Sequence, residues 1–98
     1  MDDGDKRFVP HPDVAFREID GAVVIVHTTG NLLLQLNETG STIWRLLEGR
    51  STREVSRQLA REFDVDPSVA EADILRFLAS LQERGLIVEV PQIGRAHV

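Results

Sequence analysis

The residues best suited to metal binding or proton transfer are three histidines, His11, His27 and His97, and a cluster of Asp2, Asp3 and Asp5. The histidines are scattered, and none has a second ligand at the spacing that zinc sites use. The aspartates fall in an N-terminal arm with no periodic pattern to hold them, so they form no preorganised acid pair. The chain has no cysteine, hence no disulfide framework, no thiol nucleophile and no thiolate metal site. No Gly-rich phosphate loop, serine nucleophile elbow or HExxH pattern occurs. These residues predict a protein that is not an enzyme and needs no cofactor and no metal. Two charged groupings remain. Asp73 and Arg76 stand three apart on a predicted helix, where they could fix the register of a ligand or simply form a solvated pair. Arg50, Arg53, Arg57 and Arg61 form a series whose last three members share a helix face. That face is either a solvated surface balanced by Glu54 and Glu62 or a docking stripe for an acidic partner.

The elements that must position such residues fit one small domain. The chain has 98 residues, 42% hydrophobic and 28% charged, an ordinary globular composition. The start, MDDGDKR, is polar and acidic and does not read as a signal peptide. No apolar run approaches the ~18 residues of a membrane span. A cytoplasmic location is expected. The formal net charge of −5 argues against generic nucleic-acid binding, which needs cations to neutralise phosphates.

Pro10 and Pro12 make residues 1–12 an extended or irregular arm, expected to be flexible. Asp20-Gly21 is a hairpin signal between the runs Val14 to Ile19 and Ala22 to Val26. After a second turn at Thr28 to Asn31, Leu32 to Leu36 forms a third strand, with Leu32, Leu34 and Leu36 on one face and Leu33 and Gln35 on the other. The period then changes. Asn37 is placed to cap a first helix whose apolar face is Ile43, Leu46 and Leu47, with Trp44 beside it, and Gly49 ends it. Ser51 to Glu54 reads as a capping box for a second helix with core positions Val55, Leu59 and Phe63. Asp66-Pro67 opens a third helix with the stripe Ala70, Ile74, Phe77, Leu78 and Leu81, ended by Gly85. Leu86 to Val90 suits a short last strand, and residues 91–98 a frayed tail. The predicted class is α+β: a three-stranded antiparallel meander, three helices and a short C-terminal strand, the layout of a winged helix-turn-helix. The domain itself is expected over residues 13–90.

Between His11 and Val90 the chain resembles the PqqD-like family, the recognition elements for precursors of ribosomally made, modified peptides. The matching pieces are His11-Pro12-Asp13-Val14, Arg17-Glu18-Ile19-Asp20-Gly21, Leu36-Asn37-Glu38-Thr39-Gly40-Ser41 with Ile43-Trp44 and Leu47-Glu48-Gly49, then Asp73-Ile74, Phe77-Leu78, Leu81 and Gly85-Leu86-Ile87. The strand-to-helix joint from Leu36 to Gly40 is the most specific of them. The resemblance implies a non-catalytic peptide chaperone that binds the leader of a precursor peptide and presents it to a modifying enzyme such as a radical SAM protein, a protease or a cyclase. In such proteins the leader adds as a strand to the third strand and lies in the groove beside the third helix. Carried over, the peptide-binding positions are Leu32, Leu33, Leu34, Gln35 and Leu36 on the strand and Asp73, Ile74, Arg76, Phe77, Ser80 and Leu81 on the helix.

The residues give partial, independent support. A small meander leaves strand edges that can accept another strand. Leu33, Phe77 and Leu81 are the side chains expected to receive apolar groups of the peptide, although strand leucines and a helical apolar stripe also serve as core. Trp44 is expected to be a core or half-buried anchor. Two other functions fit the layout. One is a DNA-binding winged helix, disfavoured because the third helix sets Glu71, Asp73 and Glu83 against Arg76 and Arg84. The other is a structural dimerisation module. The protein is expected to be a monomer or a homodimer.

Overall fold

The structure, a computed structural model, describes residues 3–29 and 32–90. After a short 3-10 turn at Asp3–Asp5 come β1 (Phe8–Pro10), β2 (Val14–Ile19), β3 (Ala22–His27), β4 (Leu32–Gln35), α1 (Glu38–Leu46), α2 (Thr52–Phe63), α3 (Pro67–Glu83) and β5 (Ile87–Glu89). Asp20 and Gly21 both take positive φ, +53° and +83°, as a two-residue hairpin demands. They set the register of β2 on β3, with Ile19 opposite Ala22 and Ala15 opposite Val26. β4 then pairs with β3, Leu34 opposite Ile25 and Leu33 opposite Val26. The result is the expected meander in the order β2-β3-β4, and the architecture is the winged-helix-like α+β class read from the sequence.

Alternation divides the meander into two faces. Val23 and Ile25, the strand residues that face the helices, are buried beneath Ile43, Val55, Ile74 and Leu78. The helix boundaries follow their caps. The Asn37 side chain accepts the Gly40 N–H, Ser51 and Glu54 form the reciprocal capping box, and Asp66 accepts from Ser68 ahead of Pro67.

The arm is not free along its length. Phe8–Pro10 pairs antiparallel with Ile87–Glu89, and Phe8 is buried in the core. The expectation of a flexible segment over residues 1–12 is corrected there. Two prolines forbid helix, but they do not forbid an edge strand, and Phe8 supplies the apolar surface that docks it. The predicted tail, residues 91–98, lies outside the described residues, as do Gly30 and Asn31 of the second turn.

One polar side chain locks sheet to helix. The fully buried Ser41 hydroxyl accepts the Val23 N–H (2.9 Å) and donates to the Leu36 carbonyl (3.3 Å), while the Leu36 N–H donates to the Val23 carbonyl (2.9 Å). The hydroxyl thus stands in for one ladder bond between β3 and the end of β4. Ser41→Ala is expected to cost about 1 kcal/mol, since the strands can partly close on each other. Urea unfolding of the variant checks this.

Candidate functional site

Among the described residues, both outer edges of the meander are without a partner strand. Because the Leu36 N–H points to β3, alternation turns the main-chain groups of Leu33 and Gln35 away from it, toward the free side of β4. By the same argument Phe16 and Glu18 present theirs on the free side of β2.

Residues flanking both ends of β4 approach α3. At one end, His27, the register partner of Leu32, brings its Nε2 to 3.6 Å from where a Cβ on Gly85 would sit, just past the α3 C-terminus. At the other end, a Cβ on Gly40 would stand 3.1 Å from Cζ of Phe77 and 3.2 Å from Oδ1 of Asn37. Glycine at position 40 therefore lets the Phe77 ring lie against the start of α1. This gives a physical reason for the Asn37-Glu38-Thr39-Gly40-Ser41 joint: a cap, a gap for an aromatic ring, and a hydroxyl lock. Beyond the end of β4 opens a groove of about 480 Å³. Its walls include Ile43, Leu59, Phe63, Val65 and Phe77, with Asn37, Thr39 and Asp73 as polar members.

The predicted peptide-binding residues divide by burial. Asp73, Phe77 and Ser80 recur at helical spacing along one flank of α3, and Asp73 and Phe77 line the groove. Arg76 is exposed and donates to Asp73. Leu32 and Leu34 are half-buried on the helix-facing side of β4, and Gln35 is exposed. Leu36, Ile74 and Leu81 are 5%, 0% and 2% exposed, so their side chains are core, and their expected side-chain role is corrected. Leu33 is 69% exposed but sits on the opposite face of the sheet, so it receives nothing in the groove; only its main chain faces the free edge. Trp44 is buried, with Phe16 edge-on to it at 5.2 Å between ring centroids. In the arginine series, Arg53 is held by Asp5 (2.9 Å), Arg50 donates to the Leu46 carbonyl, and Arg57 and Arg61 are exposed without an ion pair among the described residues.

Sequence reasoning missed Thr39, Phe63 and Val65 as groove residues. Val65 carried a signal: an apolar residue between Asp64 and Asp66, outside every helical stripe, and 44% exposed. The outer face of the sheet was missed as well. Ala15, Val26 and Leu33 form one cross-strand row and Arg17, Val24 and Gln35 the next, with Ile19 beyond them. Within the paired strands the face is apolar apart from Arg17 and Gln35.

Among the described residues, Glu18, Glu54 and Asp66 are held below their usual pKa range. The bidentate hydrogen bonds from Arg45 act on Glu18, the Ser51 N–H on Glu54, and the Ser68 hydroxyl and N–H on Asp66. A depressed carboxylate adds stability above its unfolded pKa and loses it as pH falls through the folded one. Thermal stability is therefore expected to be flat from neutral pH to about pH 4.5, the ordinary glutamate value, and to fall at lower pH. Melts across pH 3–7 check the direction.

Fold and groove define a winged-helix-like domain with an open strand edge that leads into a groove between helices. A family model described as "Coenzyme PQQ synthesis protein D (PqqD)" matches residues 22–87. The chain belongs to the PqqD family and is a PqqD-like recognition element. It is 32% identical over 56 residues to the "PqqA binding protein" of Xanthomonas oryzae pv. oryzae (strain PXO99A), a match covering 56% of this chain and 61% of that protein. The chain thus spans about three-fifths of the length of the curated relatives it matches. Among solved structures it is similar to "Lasso peptide synthetase B1 complexed with the leader peptide", with TM-score 0.77, 31% identity, and 84% of this chain and 98% of that one covered. It is similar also to "TbiB1 in Complex with the TbiA(beta) Leader Peptide", with TM-score 0.76, 28% identity, and 91% and 96% covered. Among the described residues no helix is long and apolar enough to cross a membrane.

Proposed function

We propose that this protein is a non-catalytic cytoplasmic chaperone. It binds the leader of a ribosomally made precursor peptide by strand addition to β4 and presents it to a modifying enzyme. The observation that carries this is the open β4 edge, which leads at Asn37 into the Phe77 groove. The leader complexes of the two similar structures support it.

Energetics assign the work. Leu33 and Gln35 offer two N–H and two C=O groups, worth about 0.5–1.5 kcal/mol per bond, a few kcal/mol in all. A micromolar complex needs roughly −8 kcal/mol, before the cost of ordering the leader. The remainder comes from apolar leader side chains, each worth about 1.5–3 kcal/mol when fully buried. The groove walled by Phe77, Phe63 and Val65 has the room for a large one. Main-chain pairing is indifferent to sequence, so the groove sets selectivity.

A strand on β4 has two sides. Leader residues opposite Leu33 and Gln35 share the outer face of the sheet with them, while the alternate ones enter the groove. The outer face, with Val26 and Ile19 exposed around Arg17, is then the surface shown to the modifying enzyme, with a carboxylate of that enzyme opposite Arg17.

Calorimetric titration with the leader of a short precursor peptide encoded beside this gene tests the proposal, with a scrambled leader as control. Saturable micromolar binding of the true leader is expected, with amide shifts at Leu33, Gln35 and Asp73 to Phe77. No binding by the folded protein, with the neighbouring enzyme absent or present, would overturn it.

A further inference from the structure

The meander has two open edges, and the side chains beneath them differ in kind. Inward from the β4 edge point Leu32 and Leu34, both half-buried and apolar. A strand added there covers more apolar surface. Inward from the β2 edge point Phe16 and Glu18, on the face that holds buried Val23 and Ile25. Below this edge lies a cleft of about 530 Å³, lined by Phe16, Trp44, Leu47, Val9 and Pro10. Phe16 is 50% exposed. On main-chain groups and apolar lining alone, β2 would accept a strand as readily as β4.

The difference is one ion pair. Arg45 of α1 holds Glu18 by two bonds, 2.8 and 3.0 Å, and reaches the Gly21 carbonyl at 2.9 Å. Both side chains are still wet, 39% and 53% exposed. A strand on β2 would cover them, and withdrawing an ion pair from water is costly. An inward-pointing charge is also a recurrent device that keeps an edge strand from pairing.

We infer that Glu18, held by Arg45, is a specificity-determining residue that closes the β2 edge, so that extended peptide pairs with β4 alone. The apolar cleft below β2 is then a strand site kept shut by its charge. This inference rests on the proposed strand addition at β4, and its test does not use the leader.

The probe is the protein itself. E18L/R45L removes the pair at similar bulk, and E18Q/R45Q serves if the leucine variant fails to fold by circular dichroism. Sedimentation over a concentration series and amide hydrogen exchange would be measured for the wild type and the variant. The variant is expected to self-associate at a concentration at least ten times lower than the wild type, with slowed exchange at the Phe16 and Glu18 amides. A folded variant that sediments like the wild type would overturn the inference. So would association that leaves those amides unprotected, because another surface would then be responsible. If the leader never binds but the variant pairs through β2, the reading of β4 falls and the guard stands. If the leader binds and the variant does not pair, the reverse holds.

Discussion

Phe77→Ala is expected to weaken leader binding by about 2–3 kcal/mol, roughly 30- to 150-fold. Phe77 lines the groove and lies against Gly40, so truncation removes one wall of the groove. The ring is only partly buried, so the loss of folding stability should be smaller than for a core phenylalanine, about 1–2 kcal/mol. Titration and urea unfolding of the same variant separate the two effects. Phe77→Leu retains an apolar wall and should recover much of the affinity. Unchanged leader affinity in Phe77→Ala would mean that the groove takes no part in binding.

Gln35→Pro is expected to cut leader affinity at least tenfold, about 1.4 kcal/mol, with little change in stability. The Gln35 N–H faces the free side of β4, and the ladder to β3 uses the N–H groups of Leu34 and Leu36 instead. Proline therefore deletes a donor needed only by an added strand and sets its ring where that strand must lie. Gln35→Ala keeps the N–H and should bind nearly as well as the wild type. Leu34→Pro removes a ladder donor and should lower stability first. The contrast between positions 34 and 35 separates recognition through the main chain from recognition through side chains. Equal affinity for Gln35→Pro and the wild type would rule out strand addition at β4.

Much of the fold is legible because local chemistry decides it. Asp20-Gly21 suits a two-residue turn, Ser51 and Glu54 suit a capping box, and Asp66-Pro67 suits a helix start; each takes the expected geometry. The pairing of Phe8–Pro10 with Ile87–Glu89 was not legible. Its two segments lie near opposite ends of the chain, and neither has enough alternation to announce a partner. The candidate site is half legible. Period 2 places Leu33 and Gln35 together, and period 3.6 places Asp73, Phe77 and Ser80 together. Periodicity alone does not say which member of an apolar stripe is covered: Ile74 and Leu81 share the stripe of Phe77, yet both are buried in the core.

The sequence by itself determined the order of elements, their caps and turns, and the family, because these depend on residues close together along the chain. Only the tertiary structure decided which surfaces remain open. Leu34 and Glu18 both point inward from the two outer strands, yet Leu34 packs against the core and Glu18 meets Arg45 of α1. That difference arises where helices meet the sheet, between residues such as Glu18 and Arg45, 27 positions apart, whose contact no local pattern encodes.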